Sequence, residues 1–290
     1  MRNSLIINLI HFFFKYFFYF IKNIKHKGSI KKIPQRNKDI LLIVGAGETA
    51  NLIKKTDWDF YEKNSDIAAL SYGVFIPPYV NFFFFEPPNL NGFSDTYIDN
   101  YYKNVIPKII LKLKAQKIKY LFIKNAYWLK ENLLEYDNTH SFFNWSVRSD
   151  NTMVFLKIIR FFHYFKITEK ALIQKNASIT SIIFWAAARG YKKVILSGID
   201  LNNNKCFFET NPNFSNFGFL SPELHINNDF SNKFRKKDID VTKDHVSNQL
   251  DYSTEDVIHD INSLNLCEMY VTSNQSRLAK FLNIFEPNNN

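Results

Sequence analysis

Ile40-Leu41-Leu42-Ile43-Val44-Gly45-Ala46-Gly47-Glu48-Thr49-Ala50 is the stretch from which the architecture reads. Five consecutive apolar residues closed by two glycines describe a strand buried on both faces, as in a parallel sheet, because a strand with one wet face alternates instead. A short helix is expected from about Glu48 to Lys55. Further apolar runs follow at Ile67–Leu70, Phe82–Phe85, Tyr120–Ile123, Val194–Leu196 and Met269–Val271. Helical stretches lie between them at roughly 97–116, 152–165, 178–189, 254–264 and 276–283, and Ser253 with Asp256 forms a capping box opening the helix at 254. Strands alternating with helices predict an α/β chain with a doubly wound parallel sheet, helices on both faces and right-handed crossovers.

Composition sets the frame around this domain. Of 290 residues, 46% are hydrophobic and 22% charged, a globular balance that excludes disorder outside the ends. Cys206 and Cys267 have no Cys-x-x-Cys partner, so they read as plain thiols rather than a zinc site or a disulfide framework. The net charge of +10 is uneven: residues 1–40 hold nine Lys or Arg against Asp39, a balance of +8, which leaves +2 for the rest. A basic, apolar leader on a near-neutral body points to an anionic membrane surface rather than to nucleic acid.

Residues 5–24 are almost all apolar or aromatic, the length of a spanning helix. Asn8, Lys15 and Lys22 recur every seven residues, with His11 one turn beyond Asn8, so a helix would carry a narrow polar stripe opposite a broad Phe/Ile/Tyr face. Such a helix lies in the interface with its Lys heads reaching phosphates. A spanning helix and a helix packed on the protein itself are the alternatives. No small-residue cleavage site follows. The expectation is a basic amphipathic membrane-anchoring leader and linker over 1–38 and one α/β domain over 39–286, within which the long, weakly periodic segment of about 202–245 forms a lid.

Four constellations carry possible chemistry. Gly45-Ala46-Gly47-Glu48-Thr49-Ala50 fits the loose dinucleotide fingerprint Gly-x-Gly-x-x-Ala, whose glycines let backbone amides approach a phosphate. A nicotinamide site also wants an acid at the end of the second strand, but that strand ends in Ser71-Tyr72 and Asp66 stands at its opposite end. A different nucleotide is therefore the better reading, with a purely structural turn as the alternative. Ser197-Gly198-Ile199-Asp200 closes a later strand at the carboxyl edge, where Asp200 would accept from ribose hydroxyls or a base amine, or else form a bare turn. His245 is the loop histidine suited to take a hydroxyl proton near neutral pH, with an exposed histidine as the bland alternative and His140, His163, His225 and His259 as competitors. Asp57-Trp58-Asp59 and Asp238-Ile239-Asp240 match the metal-binding Asp-x-Asp pattern, but both follow basic residues rather than an apolar strand, so no metal is expected.

In order, a strand with Gly-x-Gly, a helix ending in Gly190-Tyr191-Lys192, Ser-Gly-Ile-Asp, a later loop His and a closing strand leading into Ser276-Arg277-Leu278-Ala279 resemble the bacterial sialyltransferases. They are also similar to the related transferases that add Kdo to lipopolysaccharide core. The resemblance covers roughly 39–285 and is most specific over 175–201. It implies a single Rossmann-like, GT-A-like domain of sialyltransferase type. It also implies inverting transfer of an ulosonic acid from its CMP donor to a lipid-linked surface glycan at the inner face of the inner membrane, with no cofactor. Gly45, Ala46 and Gly47 would then face the donor phosphate, Ala177 and Ser178 would touch the nucleotide, Gly198, Ile199 and Asp200 would line the cytidine pocket, and His245 would be the general base. The family's tyrosines after Gly-Ile-Asp fall here on Asn202 and on Phe207 or Phe208, its arginine near Lys175, and its second-strand asparagine on Ser71. With Glu48-Thr49 and Leu201-Asn202-Asn203 resembling the lipopolysaccharide branch, Kdo is favoured slightly over sialic acid. A nicotinamide-dependent oxidoreductase and a non-catalytic membrane-tethered binding protein are the competing functional readings.

Overall fold

The computed structural model describes residues 4–25, 36–85, 95–116, 118, 120–124, 139–147, 149, 151–166, 171–202, 205–219 and 252–287. Its helices are α1 (Leu5–Lys25), α2 (Lys55–Asn64), α3 (Asp95–Asn100), α4 (Ile106–Gln116), α5 (Thr152–Tyr164), α6 (Ser178–Ala188), α7 (Phe207–Thr210) and α8 (Thr254–Ser263). Its strands are β1 (Ile40–Val44), β2 (Ser65–Leu70), β3 (Phe82–Phe85), β4 (Tyr120–Lys124), β5 (Thr139–Ser146), β6 (Ala171–Gln174), β7 (Lys193–Ser197), β8 (Glu268–Val271) and β9 (Asn283–Ile284). They form one nine-stranded sheet in the order β6-β5-β4-β3-β2-β1-β7-β8-β9. Every neighbouring pair is parallel.

The order decides where a ligand can sit. From β1 the chain lays down strands outward to β6, then returns to place β7 on the other side of β1 and builds outward again. The helices that follow β1 and β7, α2 and α8, cover opposite faces of the sheet, so these two strands mark the topological switch point, at whose carboxyl edge doubly wound sheets take their ligands. β1 is apolar on both faces because both are covered: Leu41, Leu42, Ile43 and Val44 are each 0% exposed. Leu41 and Ile43 join Val194 and Leu196 beneath α5, α6 and α8. Leu42 and Val44 join Ile195 and Tyr61 of α2 on the other side, and Phe83 and Phe85 meet Ile109 and Leu113 of α4. α6 is buried almost all round, from Ile179 to Ala187, which explains its weak amphipathic pattern. The capping box is present at α8: Asp256 N–H donates to Ser253 Oγ (3.1 Å), and Ser253 N–H donates to the Asp256 carboxylate (2.8 Å).

The six expected strands are all in the sheet; β5, β6 and β9 add to them. β5 has polar residues at five of its eight positions, so it shows no apolar run, and β6 is Ala171-Leu172-Ile173 closed by Gln174. β5 pairs with β4 through Phe142 and with β6 only from Phe143 onward, so β6 is staggered toward the carboxyl edge and α6 starts there. Asp66 begins β2 at the opposite edge, where its carboxylate accepts from the Asn37 amide (3.0 Å) and the Tyr191 hydroxyl (2.8 Å).

One expectation changes. The stripe of Asn8 and His11 does not face water. Asn8 is 3% exposed and donates to the Ser4 carbonyl, and the buried Trp145 donates its indole N–H to His11 Nδ1 (3.0 Å). Between them Phe12 is 1% exposed, its ring 4.5 Å from that of Phe162 in α5 and 5.2 Å from Trp145. With their polar atoms satisfied, Asn8 and His11 can lie on the docked side and let Phe12 enter the core, so α1 is part of the fold. The described start of the segment after β7 also packs on the body: a backbone β-bridge joins Cys206 to Gly47, Phe207 and Phe208 are buried, and Phe207 N–H donates to the Ala46 carbonyl (2.8 Å). Positions 220–251 lie outside the described residues.

Candidate functional site

At the crevice the turns after β1 and β7 are knitted together. Gly45 N–H donates to the Ser197 carbonyl and Gly47 N–H to the Gly198 carbonyl, both at 2.8 Å. Asp200, 4% exposed, reaches back across: Thr49 donates its N–H (2.9 Å) to one carboxylate oxygen and its hydroxyl to the other. Gly198 N–H in turn donates to the Thr49 hydroxyl (3.3 Å). Burial pushes the Asp200 carboxyl above the ordinary range, while Thr49 and the Glu48 amide pull it back.

The Gly45 and Gly47 amides thus bond across to the chain at the end of β7, and Asp200 braces the two turns through Thr49. Gly47 is required by this brace, since a Cβ there would lie 2.5 Å from the Asp200 carboxylate. The other side of Gly198–Asp200 is fastened too: Ser276 Oγ donates to the Ile199 carbonyl (2.9 Å) and Arg277 N–H to the Asp200 carbonyl (2.8 Å). Gly198, Ile199 and Asp200 therefore form a rigid wedge between the loops after β1 and β8. Asn202, exposed at its end, donates to the Gln275 carbonyl.

The neighbouring wall comes from β2. Ser71 turns the chain with φ 50° into a short 3-10 helix over Ser71–Phe75. Gly73 presses against β1, where a Cβ would collide with the Val44 carbonyl and lie 2.8 Å from that of Gly45. Tyr72 packs edge-on against Phe208, with ring centroids 5.7 Å apart, which joins this wall to the segment after β7.

Residues 174–178 add a different chemistry to the same carboxyl edge. Lys175 is 5% exposed and its ammonium lies 5.6 Å from the Tyr252 ring centroid. Asn176, with φ 59°, donates to the Tyr252 carbonyl (2.6 Å) and ties β6 to the start of α8. Ala177 is the N-cap of α6 and makes no side-chain capping bond, and Ser178 is the first helical residue. The start of a helix, with a lysine two residues before its N-cap, suits an anion. Ser71, Asn176 and Leu201 all hold left-handed backbone and all follow the ends of strands at this edge. Such backbone costs about 1–3 kcal/mol per residue and gathers where a binding surface fixes the chain.

Ser71, Gly73 and the Gly45–Gly47 and Gly198–Asp200 turns thus come together, with residues 174–178 on the same edge. Gly73 and Tyr252 were not singled out by sequence, and Thr49 was quoted in the fingerprint and in Glu48-Thr49 without its role as the partner of Asp200. His245, His225 and the Asp238/Asp240 pair lie outside the described residues. Asp57 is occupied with capping α2. Among the described residues no group of three His, Cys, Asp or Glu side chains is placed to hold a metal ion.

No protein-family model and no curated protein sequence matches the chain. Among solved structures it is similar to the monofunctional α-2,3-sialyltransferase Cst-I from Campylobacter jejuni, at 16% identity and TM-score 0.47, over 90% of this chain and 85% of that one. It is also similar to the sialyltransferase CstII from Campylobacter jejuni in complex with cytidine-5′-monophosphate, at 16% identity and TM-score 0.46, over 88% of this chain and 87% of that one.

Proposed function

We propose that this chain is an inverting glycosyltransferase that moves an ulosonic acid, Kdo slightly ahead of sialic acid, from its CMP donor to a lipid-linked surface glycan. The observation that carries the proposal is the Ser-Gly-Ile-Asp turn at the topological switch point, braced to the Gly-x-Gly turn in the crevice where doubly wound sheets take nucleotides. In this reading the cytidine lies against the Gly198–Asp200 wedge and the Ser71 wall. The donor's phosphate and sugar carboxylate are anions, and Lys175 with the first turn of α6 at Ala177 and Ser178 supplies positive potential for them.

The reaction needs little else. An acceptor hydroxyl attacks the anomeric carbon, the bond from that carbon to the phosphate oxygen breaks, and CMP leaves with the electron pair. His245 takes the hydroxyl proton as the oxocarbenium-like centre develops. Electrostatic stabilisation of the departing phosphate is the larger contribution, and it falls to Lys175 and the α6 amides. The acceptor's lipid places the enzyme at the inner face of the inner membrane as a peripheral protein. Among the described residues no helix is long and apolar enough to cross a membrane. The test is release of CMP from CMP-Kdo and from CMP-sialic acid, with and without lipooligosaccharide. Acceptor-dependent release supports the reading, and intact donor in every mixture overturns it.

A further inference from the structure

α1 is apolar on two opposite sides, and the fold uses only one. Leu5, Leu9, Phe12 and Tyr16 pack on the body. Ile6, Ile7, Ile10, Phe13, Phe14, Phe17 and Phe18, spaced by three and four along the helix, lie on the other side and are 42–68% exposed. Four turns of outward Ile and Phe are far from the scattered single apolar residues of an ordinary surface. Lys15 is exposed beside this face. α5, against which α1 packs, carries its own exposed row of Met153, Lys157, Arg160 and Tyr164, followed by exposed Phe165 and Lys166.

We propose that the outer face of α1, flanked by this row of α5, docks the folded enzyme on an anionic lipid monolayer, with the Ile and Phe side chains among the acyl chains and the Lys and Arg heads at the phosphates. This deepens the peripheral placement proposed above and rests on it. Charge selects the occupant. Residues 1–40 carry +8 while the rest carry +2, so a second copy of the chain would bring like charge against like charge, whereas an anionic surface complements it. Basic residues interleaved with aromatics at a helix surface suit the headgroup layer, where long cationic side chains lay their stems along apolar surface. Because the inner side of α1 belongs to the core, docking holds the body in one orientation rather than on a free tether.

The test is co-sedimentation of the full chain with vesicles of equal parts phosphatidylcholine and phosphatidylglycerol, and with phosphatidylcholine alone. The full chain sediments with the anionic vesicles and far less with the neutral ones, and added salt weakens its binding. Phe14→Glu with Phe17→Glu, both on the outer side, raises the lipid concentration for half-binding by roughly tenfold or more. The same double variant keeps its melting temperature and its shift with CMP, which separates a failure of the docking surface from a failure of the donor assignment. The proposal is overturned by wild-type protein that stays in the supernatant, or by a double variant that binds vesicles as well as wild type. A wild-type dimer that the double variant abolishes, seen by sedimentation velocity, also overturns it by making a second copy the occupant.

Discussion

Thr49→Val tests the brace between the two turns. Valine keeps the shape of threonine, so no cavity opens, but the hydroxyl that donates to Asp200 and accepts from Gly198 N–H disappears. Thr49 and Asp200 are each 4% exposed, so water does not replace those bonds. An under-satisfied carboxylate and an orphaned peptide N–H together cost about 3 kcal/mol. At roughly 2–4 °C per kcal/mol for a domain of this size, melting falls by about 6–12 °C. Burial raises the Asp200 pKa in the fold, so the folded chain binds that proton more tightly than the unfolded one and stability drops as pH rises through the folded pKa. Removing the Thr49 hydroxyl takes away one of the interactions that hold the pKa down, so the loss in Thr49→Val is larger above the folded pKa than below it. Thermal unfolding by circular dichroism across a pH series, with Thr49→Ser as the control that keeps the hydroxyl, measures this. A valine variant that melts within about one degree of wild type refutes the brace.

Three further outcomes are expected. His245→Ala lowers acceptor-dependent turnover by roughly 10²–10⁴-fold while leaving CMP affinity unchanged, as initial rates and calorimetry will read. Phe12→Ala costs about 3–5 kcal/mol in chemical denaturation, because it empties a site between Phe162 and Trp145; a detachable leader would show no loss. Tyr191→Phe leaves the buried Asp66 carboxylate one donor short, and denaturant titration should show a loss of about 1.5–3 kcal/mol.

Much of the sheet was legible because a parallel strand covered on both faces must be apolar at every position, and Ile40–Val44, Phe82–Phe85 and Val194–Leu196 are. β5 left no such run because five of its eight residues are polar, and β6 is apolar at only three positions, Ala171 to Ile173, the first of them an alanine. The glycine turns were legible as turns, but not as turns packed against one another. That Gly47 exists to admit the Asp200 carboxylate depends on a contact 153 positions apart in the chain, which no local pattern carries. The helical character of α1 was legible, but which side docks was not: Asn8 finds its partner one turn back at the Ser4 carbonyl, and the Trp145 indole reaches His11 only once the helix is folded onto β5, so both residues read as a wet stripe.

The donor nucleotide is where the account is most exposed, and thermal unfolding of the full chain with CMP, UDP and NAD at equal concentrations tests it without knowledge of the acceptor. At about a hundred times its dissociation constant, a ligand adds about 2.7 kcal/mol to the folded state. The proposed donor predicts a rise in melting temperature with CMP that exceeds those with UDP and NAD. No rise with CMP, or a larger one with NAD, contradicts it.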